Sequence, residues 1–182
     1  MTKWPWRKRV RVVVCGLVCA GGLVSASFPV HAQDAAPAPR TLRVGDATVT
    51  VTREDGADHV VAKNAAGALE SDSWCQVDAG TYDEYAAFFR ALQRAVTAHD
   101  VPGVTSLVRF PLRVNGTVRG TVAGAPQLAS RYAEVFTLKV VAAIRAAEPG
   151  LVFCHEGAAM IASGAVWAGK DRGRIALDVV NP

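Results

Sequence analysis

The sequence predicts an α+β protein in which helices pack on an antiparallel sheet, with an extra β-hairpin on the N-terminal side. Three stretches support this prediction. A capped amphipathic helix begins at Thr81, polar and apolar residues alternate over Leu42–Lys63, and short apolar segments separated by tight turns fill residues 158–180. Because helices come first and the last strands come after them, their apolar faces must meet as one layer.

The central helix has a defined start and one apolar face. Thr81 followed by Glu84 is a capping box, in which the hydroxyl and the carboxylate each accept a backbone N–H at the start of the helix. Apolar residues then recur at helical spacing, and charged residues occupy the opposite side. The apolar stripe consists of Tyr85, Phe88, Phe89, Leu92 and Val96. We expect this stripe to lie in the core.

A second short helix and a strand are predicted next. Asp100 is placed to cap the helix, which must end before Pro111 because the residue preceding a proline favours extended geometry. The chain then continues as a strand with Arg113 on its polar face. Asn115-Gly116 predicts a two-residue type I′ turn, with residues 117–119 pairing back.

The segment before the central helix is predicted to contain a hairpin. A turn at residues 54–58 separates one strand, Leu42–Arg53, from a second, His59–Lys63. Residues 64–72 have weak periodicity and are predicted to be a loop. Residues 74–77 are expected to form a short strand.

The last third of the chain is predicted to hold one more helix and a meander. Pro126 opens the helix, and Thr137 starts or kinks its continuation. Strands at 158–162 and 165–169 flank a tight link at Ser163-Gly164. The final strand, residues 174–180, is expected to turn one face to the core: Ile175, Leu177 and Val179.

Residues 1–32 are predicted to be a secretory signal peptide. Basic residues precede an uncharged apolar run, and a small-x-small cleavage site ends at Ala32, before Gln33. A membrane anchor is the alternative, but the run is shorter than the roughly 20 apolar residues that span a bilayer. A lipid anchor is disfavoured because valine precedes both leader cysteines. The predicted organisation is a leader over 1–32, an Ala/Pro-rich linker over 33–40, the hairpin with its connecting loop over 41–80 and an α+β domain over 81–182.

Removal of the leader changes the charge of the protein. The whole chain has 20 Lys and Arg, five of them within residues 1–32, which leaves 15 against 16 acidic residues and a net charge of −1. Nucleic-acid binding requires clustered positive charge, whereas here arginines are interspersed with acids. We therefore expect no nucleic-acid partner and no membrane attachment after cleavage. No cofactor-binding motif is present, and we expect no cofactor.

Cys75 and Cys154 are the two cysteines that remain after the leader is removed. In an oxidising compartment such a pair favours a disulfide, and closing a loop of this length would stabilise the fold by roughly 4 kcal/mol. Two buried thiols are the alternative. A metal site is disfavoured because no second cysteine or well-spaced histidine accompanies either one.

Motifs of the common enzyme classes are missing from the mature sequence. His155-Glu156 begins like a zinc-protease motif, but Ala159 stands where the second histidine would be. No nucleophile elbow, phosphate-binding loop or dinucleotide-binding glycine pattern occurs after residue 32. We therefore expect no metal centre.

The order helix, helix, strand, helix and three late strands resembles the nuclear transport factor 2-like superfamily, including its uncharacterised secreted bacterial members. The segments that carry the resemblance are FFRALQRAV, LVRFPLRVNG and the G-x-V-W of Gly164–Trp167, within residues 81–181. The resemblance implies a cone-shaped fold, in which a curved sheet and helices enclose a pocket. In some members this pocket is catalytic, and in many it only binds a ligand or supports dimerisation.

Several residues are candidates for such a pocket. Tyr85, Tyr132 and Trp167 could line it, although aromatic residues at this spacing are usually core. Asp178 lies opposite the apolar face of the last strand, where a carboxylate would resemble the base of isomerases of this fold. His155 could serve as an acid or base, or as a structural histidine. Arg109 and Arg131 could hold an anion or coat helix ends.

These features favour an exported, periplasmic or secreted binding module without catalytic activity, whose partner is a small molecule or a protein. An isomerase- or hydrolase-like enzyme that uses Asp178 or His155 with Tyr132 is one alternative. A periplasmic inhibitor or immunity-type protein is another. A homodimer formed through the sheet is also compatible with the predicted fold.

We expect the mature protein to begin at Gln33, because the basic, apolar and small-residue succession of the leader is the pattern that signal peptidase recognises. Intact-mass measurement of the exported protein gives its first residue directly. A mass that includes residues 1–32 would contradict the prediction.

Overall fold

The computed structural model describes residues 37–116 and 119–182. Over these ranges the chain has five helices and ten strands in two sheets, and the predicted α+β class is confirmed. The leader, the cleavage site between Ala32 and Gln33 and the first part of the linker lie outside the described residues. Within the described part, no helix is both long enough and apolar enough to cross a bilayer.

The described helices and strands have the following bounds. The helices are Tyr82–Thr97 (α1), Val101–Ser106 (α2), Ala125–Ser130 (α3), Tyr132–Val135 (α4) and Leu138–Ala146 (α5). The first five strands are Arg40–Val44 (β1), Ala47–Glu54 (β2), Ala57–Lys63 (β3), Leu69–Gln76 (β4) and Val108–Val114 (β5). The other five are Gly120–Val122 (β6), Phe153–His155 (β7), Ala158–Ile161 (β8), Val166–Asp171 (β9) and Arg174–Val180 (β10).

The N-terminal hairpin is the middle of a larger antiparallel sheet with the strand order β1-β2-β3-β4. The predicted first strand is two strands, because the chain turns at Gly45 and Asp46. The predicted loop over residues 64–72 is wrong in its last part, where β4 begins at Leu69 and pairs with β3. Long-range pairing with β3 provides an order that the weak local pattern does not indicate.

The second sheet has six strands in the order β6-β5-β10-β9-β8-β7. Its neighbours are antiparallel except β10 and β5, which run parallel. The two-residue turn predicted at Asn115-Gly116 is wrong, because Val114 pairs with Gly120 and the connection spans residues 115–119. Strand β5 also begins at Val108, earlier than predicted, because α2 ends at Ser106.

Side-chain hydrogen bonds cap the first turn of three helices and define where each of them starts. The capping box of Thr81 and Glu84 is present at the start of α1, Asp100 accepts the N–H of Gly103 in α2, and Thr137 caps α5. The helix predicted from Pro126 is divided into α3, α4 and α5. Sequence-local hydrogen bonds of this kind are readable without tertiary information.

One apolar core joins the helices to both sheets. The stripe predicted on α1 is fully buried, with Phe89 at 0% exposure. Other fully buried large side chains are Leu112, Leu128, Ile144, Leu177, Val49 and Val60. Val49 and Val60 belong to the first sheet and Leu112 and Leu177 to the second, so the core that contains the α1 stripe includes residues of both sheets.

A disulfide joins Cys75 on β4 to Cys154 on β7, as predicted, with the two Cα atoms 5.1 Å apart. The side chain of Ser73 accepts a hydrogen bond from the backbone N–H of Cys154 at 3.2 Å. The disulfide therefore ties the edge of the first sheet to the edge of the second.

We expect Phe89→Ala to lower the free energy of unfolding by about 3–5 kcal/mol, because it removes fully buried apolar surface and leaves a cavity in α1's core face. Arg90→Ala is the matched control on the exposed side of the same helix, and its effect should stay within about 0.5 kcal/mol. Denaturant melts of both variants give the comparison. Equal midpoints would contradict the assignment of the buried face.

Candidate functional site

An open groove of about 590 Å³ crosses the face of the six-stranded sheet that points away from the core. Residues of β5, β7, β8, β9 and β10 contribute to it. Its polar lining residues are Arg109, Arg113, Asn115, His155, Glu156, Asp178 and Asn181. Its apolar lining residues are Pro111, Ala158, Trp167 and Val179. The groove thus combines an apolar wall with charged and amide groups, a mixture typical of small-molecule sites.

A β-bulge at Asp178 places this residue in the groove. Leu177 pairs with Ala168 on β9, and Val179 pairs with Trp167, the residue before Ala168. Asp178 therefore has no pairing partner on β9. Beyond the bulge the alternation is reversed. The prediction that Val179 shares the core face of Leu177 is therefore wrong: Val179 lines the groove, and Val180 is buried in the core. Bulges often redirect a side chain beside a functional site.

The pairing of β5 with β10 is also irregular beside Asp178. Leu177 pairs with Val108 and Val179 pairs with Arg113, so residues 109–112 of β5 stand opposite Asp178 alone. This stretch includes the cis peptide bond before Pro111. The extra residues bring Arg109 next to Asp178, with the Nε atom of Arg109 2.8 Å from the Oδ1 atom of Asp178.

The carboxylate of Asp178 is mostly buried, with a side-chain exposure of 14%. The Arg109 N–H groups are not aligned with it, and its buried Oδ1 atom has no hydrogen-bond partner among the described residues. Burial raises the pKa of Asp178, and the positive charge of Arg109 offsets part of that rise. The Oδ2 atom lies over Gly169, only 2.6 Å from the place a Cβ atom would occupy. The close approach requires glycine at that position.

The structure brings together four of the residues proposed from the sequence: Asp178, His155, Trp167 and Arg109, the last proposed as an anion ligand. His155 is largely exposed, and its Nε2 atom lies 3.7 Å from the Oε1 atom of Glu156. The groove therefore holds a buried carboxylate on β10, an indole wall on β9 and a solvent-facing imidazole on β7.

Tyr85 does not line this groove. Its side chain is buried in the core, and its hydroxyl donates to the carbonyl oxygen of Ala79 at 2.9 Å, with the carbonyl oxygen of Gly157 at 3.3 Å. Burial, with the charges of Asp178 and Glu84, raises the pKa of Tyr85 to about 12. This tyrosine is a structural residue of the helix–sheet layer.

Tyr132 does not line the groove either. It lies on α4, and its ring stacks on Phe136 with a centroid distance of 4.9 Å. Its buried hydroxyl has no hydrogen-bond partner among the described residues. Burial raises the pKa of Tyr132, with a smaller contribution from Asp100. The combination of Tyr132 with Asp178 or His155, expected for an enzyme, is therefore not assembled.

Four polar residues of the groove were not identified as site residues from the sequence: Arg113, Asn115, Glu156 and Asn181. The Nδ2 group of Asn115 donates to the Oδ1 atom of Asn181 at 2.9 Å, and the amide of Asn181 donates to the carbonyl of Gly164. The alternation of β5 does put Arg113 on the polar face. Only the pairing of β5 with β10, however, puts that face beside Asp178.

Between α1 and the six-stranded sheet, where the resemblance places a pocket, apolar side chains such as Phe89, Leu112 and Leu177 are fully buried in the core. Over residues 37–116 and 119–182, no group of three or more His, Cys, Asp or Glu side chains is arranged to hold a metal ion. The lining residues of the groove offer carboxylate, guanidinium, imidazole and amide groups beside an apolar wall.

Arg131 lies outside the groove, and its Nε atom contacts the Oε2 atom of Glu134 at 2.8 Å.

Comparison of the chain with protein-family models, with curated proteins and with solved structures finds no match. A functional assignment therefore rests on the geometry of the groove.

We expect Asp178→Asn to be at least as stable as the natural protein at neutral pH. The folded-state pKa of Asp178 lies above its ordinary value of 3.8, so its protonated form stabilises the fold at low pH. That contribution is lost as pH rises through the folded-state pKa. The stability of the variant relative to the natural protein should therefore increase over this range, as measured by urea melts at a series of pH values.

Asp46→Asn is the control, because it removes an exposed carboxylate from the β1–β2 turn. Its stability relative to the natural protein should change little over the same pH range. If Asp178→Asn were clearly less stable at neutral pH and equal at low pH, the charged carboxylate would be stabilising and the stated direction would be wrong.

Proposed function

We propose that this protein is a binding module that holds a small organic molecule in the groove on the outer face of its six-stranded sheet. The observation that carries the proposal is the convergence of Trp167, Asp178 and Arg109 on one open groove of about 590 Å³. An indole wall beside a few directed polar groups is the usual composition of a ligand site.

The chemistry of the lining supports binding rather than covalent catalysis. Among the described lining residues, none is a serine, threonine, cysteine, lysine or tyrosine, the usual covalent nucleophiles apart from carboxylate and imidazole. The carboxylate of Asp178 is ion-paired, and the imidazole of His155 is exposed to solvent. These groups are suited to orienting a ligand.

The proposal includes a relationship to the nuclear transport factor 2-like superfamily. Its support is the order α1, α2, β5 and then further helices followed by late antiparallel strands, which is the order on which the resemblance was based. The proposed site differs from the pocket inside the cone that the resemblance implies, because apolar side chains fill that interior. We therefore place the ligand on the outer face.

We also propose that the protein works in the periplasm or outside the cell. The signal-peptide pattern of residues 1–32 supports export, and the disulfide between Cys75 and Cys154 is compatible with an oxidising compartment.

An acid–base enzyme of the isomerase or hydrolase type is the second candidate. The observation in its favour is the buried Oδ1 atom of Asp178, which lacks a hydrogen-bond partner among the described residues, together with the raised pKa of this carboxyl. Such a group could accept a proton from a bound carbonyl compound. Deuterium uptake from D₂O by a bound ketone, lost in Asp178→Asn, would distinguish catalysis from binding.

The binding proposal can be tested through tryptophan fluorescence, because the chain after residue 32 has two tryptophans, Trp74 and Trp167. The exported protein would be titrated with 3-phenylpropionate, 3-phenylpropan-1-ol and 3-phenylpropylamine. We expect at least one probe to change the emission with a dissociation constant of about 1 mM or below, since it places a ring against Trp167.

Two variants assign the signal. Trp74→Phe should retain the response, because Trp74 stacks on His59 in the other sheet. Trp167→Phe should lose it. A response that depends on Trp74, or no response to any of the three probes, would contradict the proposed function. Sedimentation of the free protein adds a check, since a stable dimer that covers Trp167 would mean that a second copy occupies this face.

A further inference from the structure

We propose that the ligand of the groove is a small monocarboxylic acid with an apolar body, and that its carboxylate binds between the guanidinium groups of Arg109 and Arg113. This inference rests on the proposed function, because it names the chemical class that the same groove selects. It is carried by the unused donors of the two arginines, the charge of the lining and the position of the apolar wall.

The two guanidinium groups have unused hydrogen-bond donors. Arg113 makes no ion pair and no side-chain hydrogen bond with any described residue, and it stands beside Val179 on the neighbouring strand. Arg109 has Asp178 within 2.8 Å, but none of its N–H groups forms a hydrogen bond with the described residues. A guanidinium presents five donors in a fixed plane that matches a carboxylate. Two such groups in one groove therefore favour a planar oxyanion.

The charge of the lining favours an anion with a single charge. The positive charges of Arg109 and Arg113 are balanced by the negative charges of Asp178 and Glu156 when His155 is neutral. A monoanion can replace one acidic side chain as the partner of an arginine without leaving a large excess of negative charge. A dianionic phosphate ester would leave that excess close to Asp178, at a cost in electrostatic energy.

The apolar wall favours an organic acid over an inorganic anion. Trp167 and Val179 are paired residues on β9 and β10, and Pro111 lines the same groove from β5. Together they give a ring or alkyl group a surface beside the arginines. Burial of such a group contributes binding energy in proportion to its apolar area, which a bare inorganic anion lacks.

Asp178 is then a competitor for the ligand. Its carboxylate occupies the position nearest to Arg109, and the ligand's carboxylate would have to share or displace this contact. The other charged groups near the groove are Arg113 on β5, His155 and Glu156 at the end of β7, and Asp171 on β9. Since Asp178 and the ligand carry the same charge, removal of the Asp178 charge should strengthen acid binding.

The test compares 3-phenylpropionate with its neutral analogue 3-phenylpropan-1-ol and with phenyl phosphate, using calorimetry and Trp167 fluorescence. We expect the carboxylic acid to bind about tenfold more tightly than the alcohol, because charge-assisted hydrogen bonds to arginine are strong. The phosphate should bind more weakly than the acid. Added salt should weaken acid binding and leave alcohol binding nearly unchanged.

Arginine and aspartate variants assign the contacts. Arg113→Gln should remove most of the preference for the acid, whereas Arg90→Gln, an exposed arginine on α1, should leave it unchanged. Asp178→Asn should strengthen acid binding several-fold and so raise the ratio of acid affinity to alcohol affinity. This gain cannot arise from a damaged fold, which keeps the test informative if Arg113→Gln is unstable.

The outcomes separate this inference from the proposed function. If the alcohol binds as tightly as the acid and still requires Trp167, the groove binds small molecules but the carboxylate preference is wrong. If Asp178→Asn weakens acid binding, the proposal that Asp178 competes with the ligand's carboxylate for Arg109 is wrong. Tighter binding of phenyl phosphate than of the acid would overturn the monoanion assignment.

Discussion

Asp58 is a carboxylate with an exposure of only 2%, and the contact of the four-stranded sheet with α1 depends on it. Its Oδ2 atom accepts the backbone N–H of Tyr82 at the start of α1, and its Oδ1 atom pairs with Arg53. A buried charge is tolerated only when it is paired and hydrogen-bonded, so both partners are required. Because Asp58 lies on β3, this single side chain joins the N-terminal sheet to α1, which contributes seven buried residues to the core. Cys75, which pairs with Asp58 on the neighbouring strand β4, is joined by the disulfide to Cys154 on β7.

The six-stranded sheet is constrained in a different way, through irregularities in β5 and β10. A regular β10 would alternate throughout, and Val180 would then face the groove while Val179 faced the core. The bulge at Asp178 places Val180 in the core instead of Val179 and leaves two consecutive side chains, Asp178 and Val179, on the outer face. Gly169 on β9 then provides the space in which the carboxylate lies. The candidate site is therefore a consequence of backbone geometry at one level of the sheet.

The parts of the fold that were predictable depend on neighbours in sequence. The capping box at Thr81 and the cap at Asp100 are formed by side chains within three residues of the groups they satisfy, and α1's apolar stripe follows from helical spacing. The disulfide followed from export and from a count of cysteines. The first part of strand β4 and the long connection after Val114 were missed because they depend on partners far along the chain. The same applies to the site: Asp178, His155 and Trp167 could be proposed singly, but their union with Arg113 requires the order of strands in the sheet.

Asp178 has opposite effects on the stability of the fold and on the proposed site. Its raised pKa means that the folded protein disfavours the charged form relative to the unfolded chain, although Arg109 lies close by. Replacement of this carboxyl by a neutral amide would relieve that cost, so stability alone gives no reason for an aspartate at this position. A role in the groove does give one: the carboxylate holds Arg109 beside the apolar wall while no ligand is present. In the proposed binding mode, an incoming acid would meet an arginine already placed at the groove, and Asp178 would set the affinity through its competition for the same guanidinium.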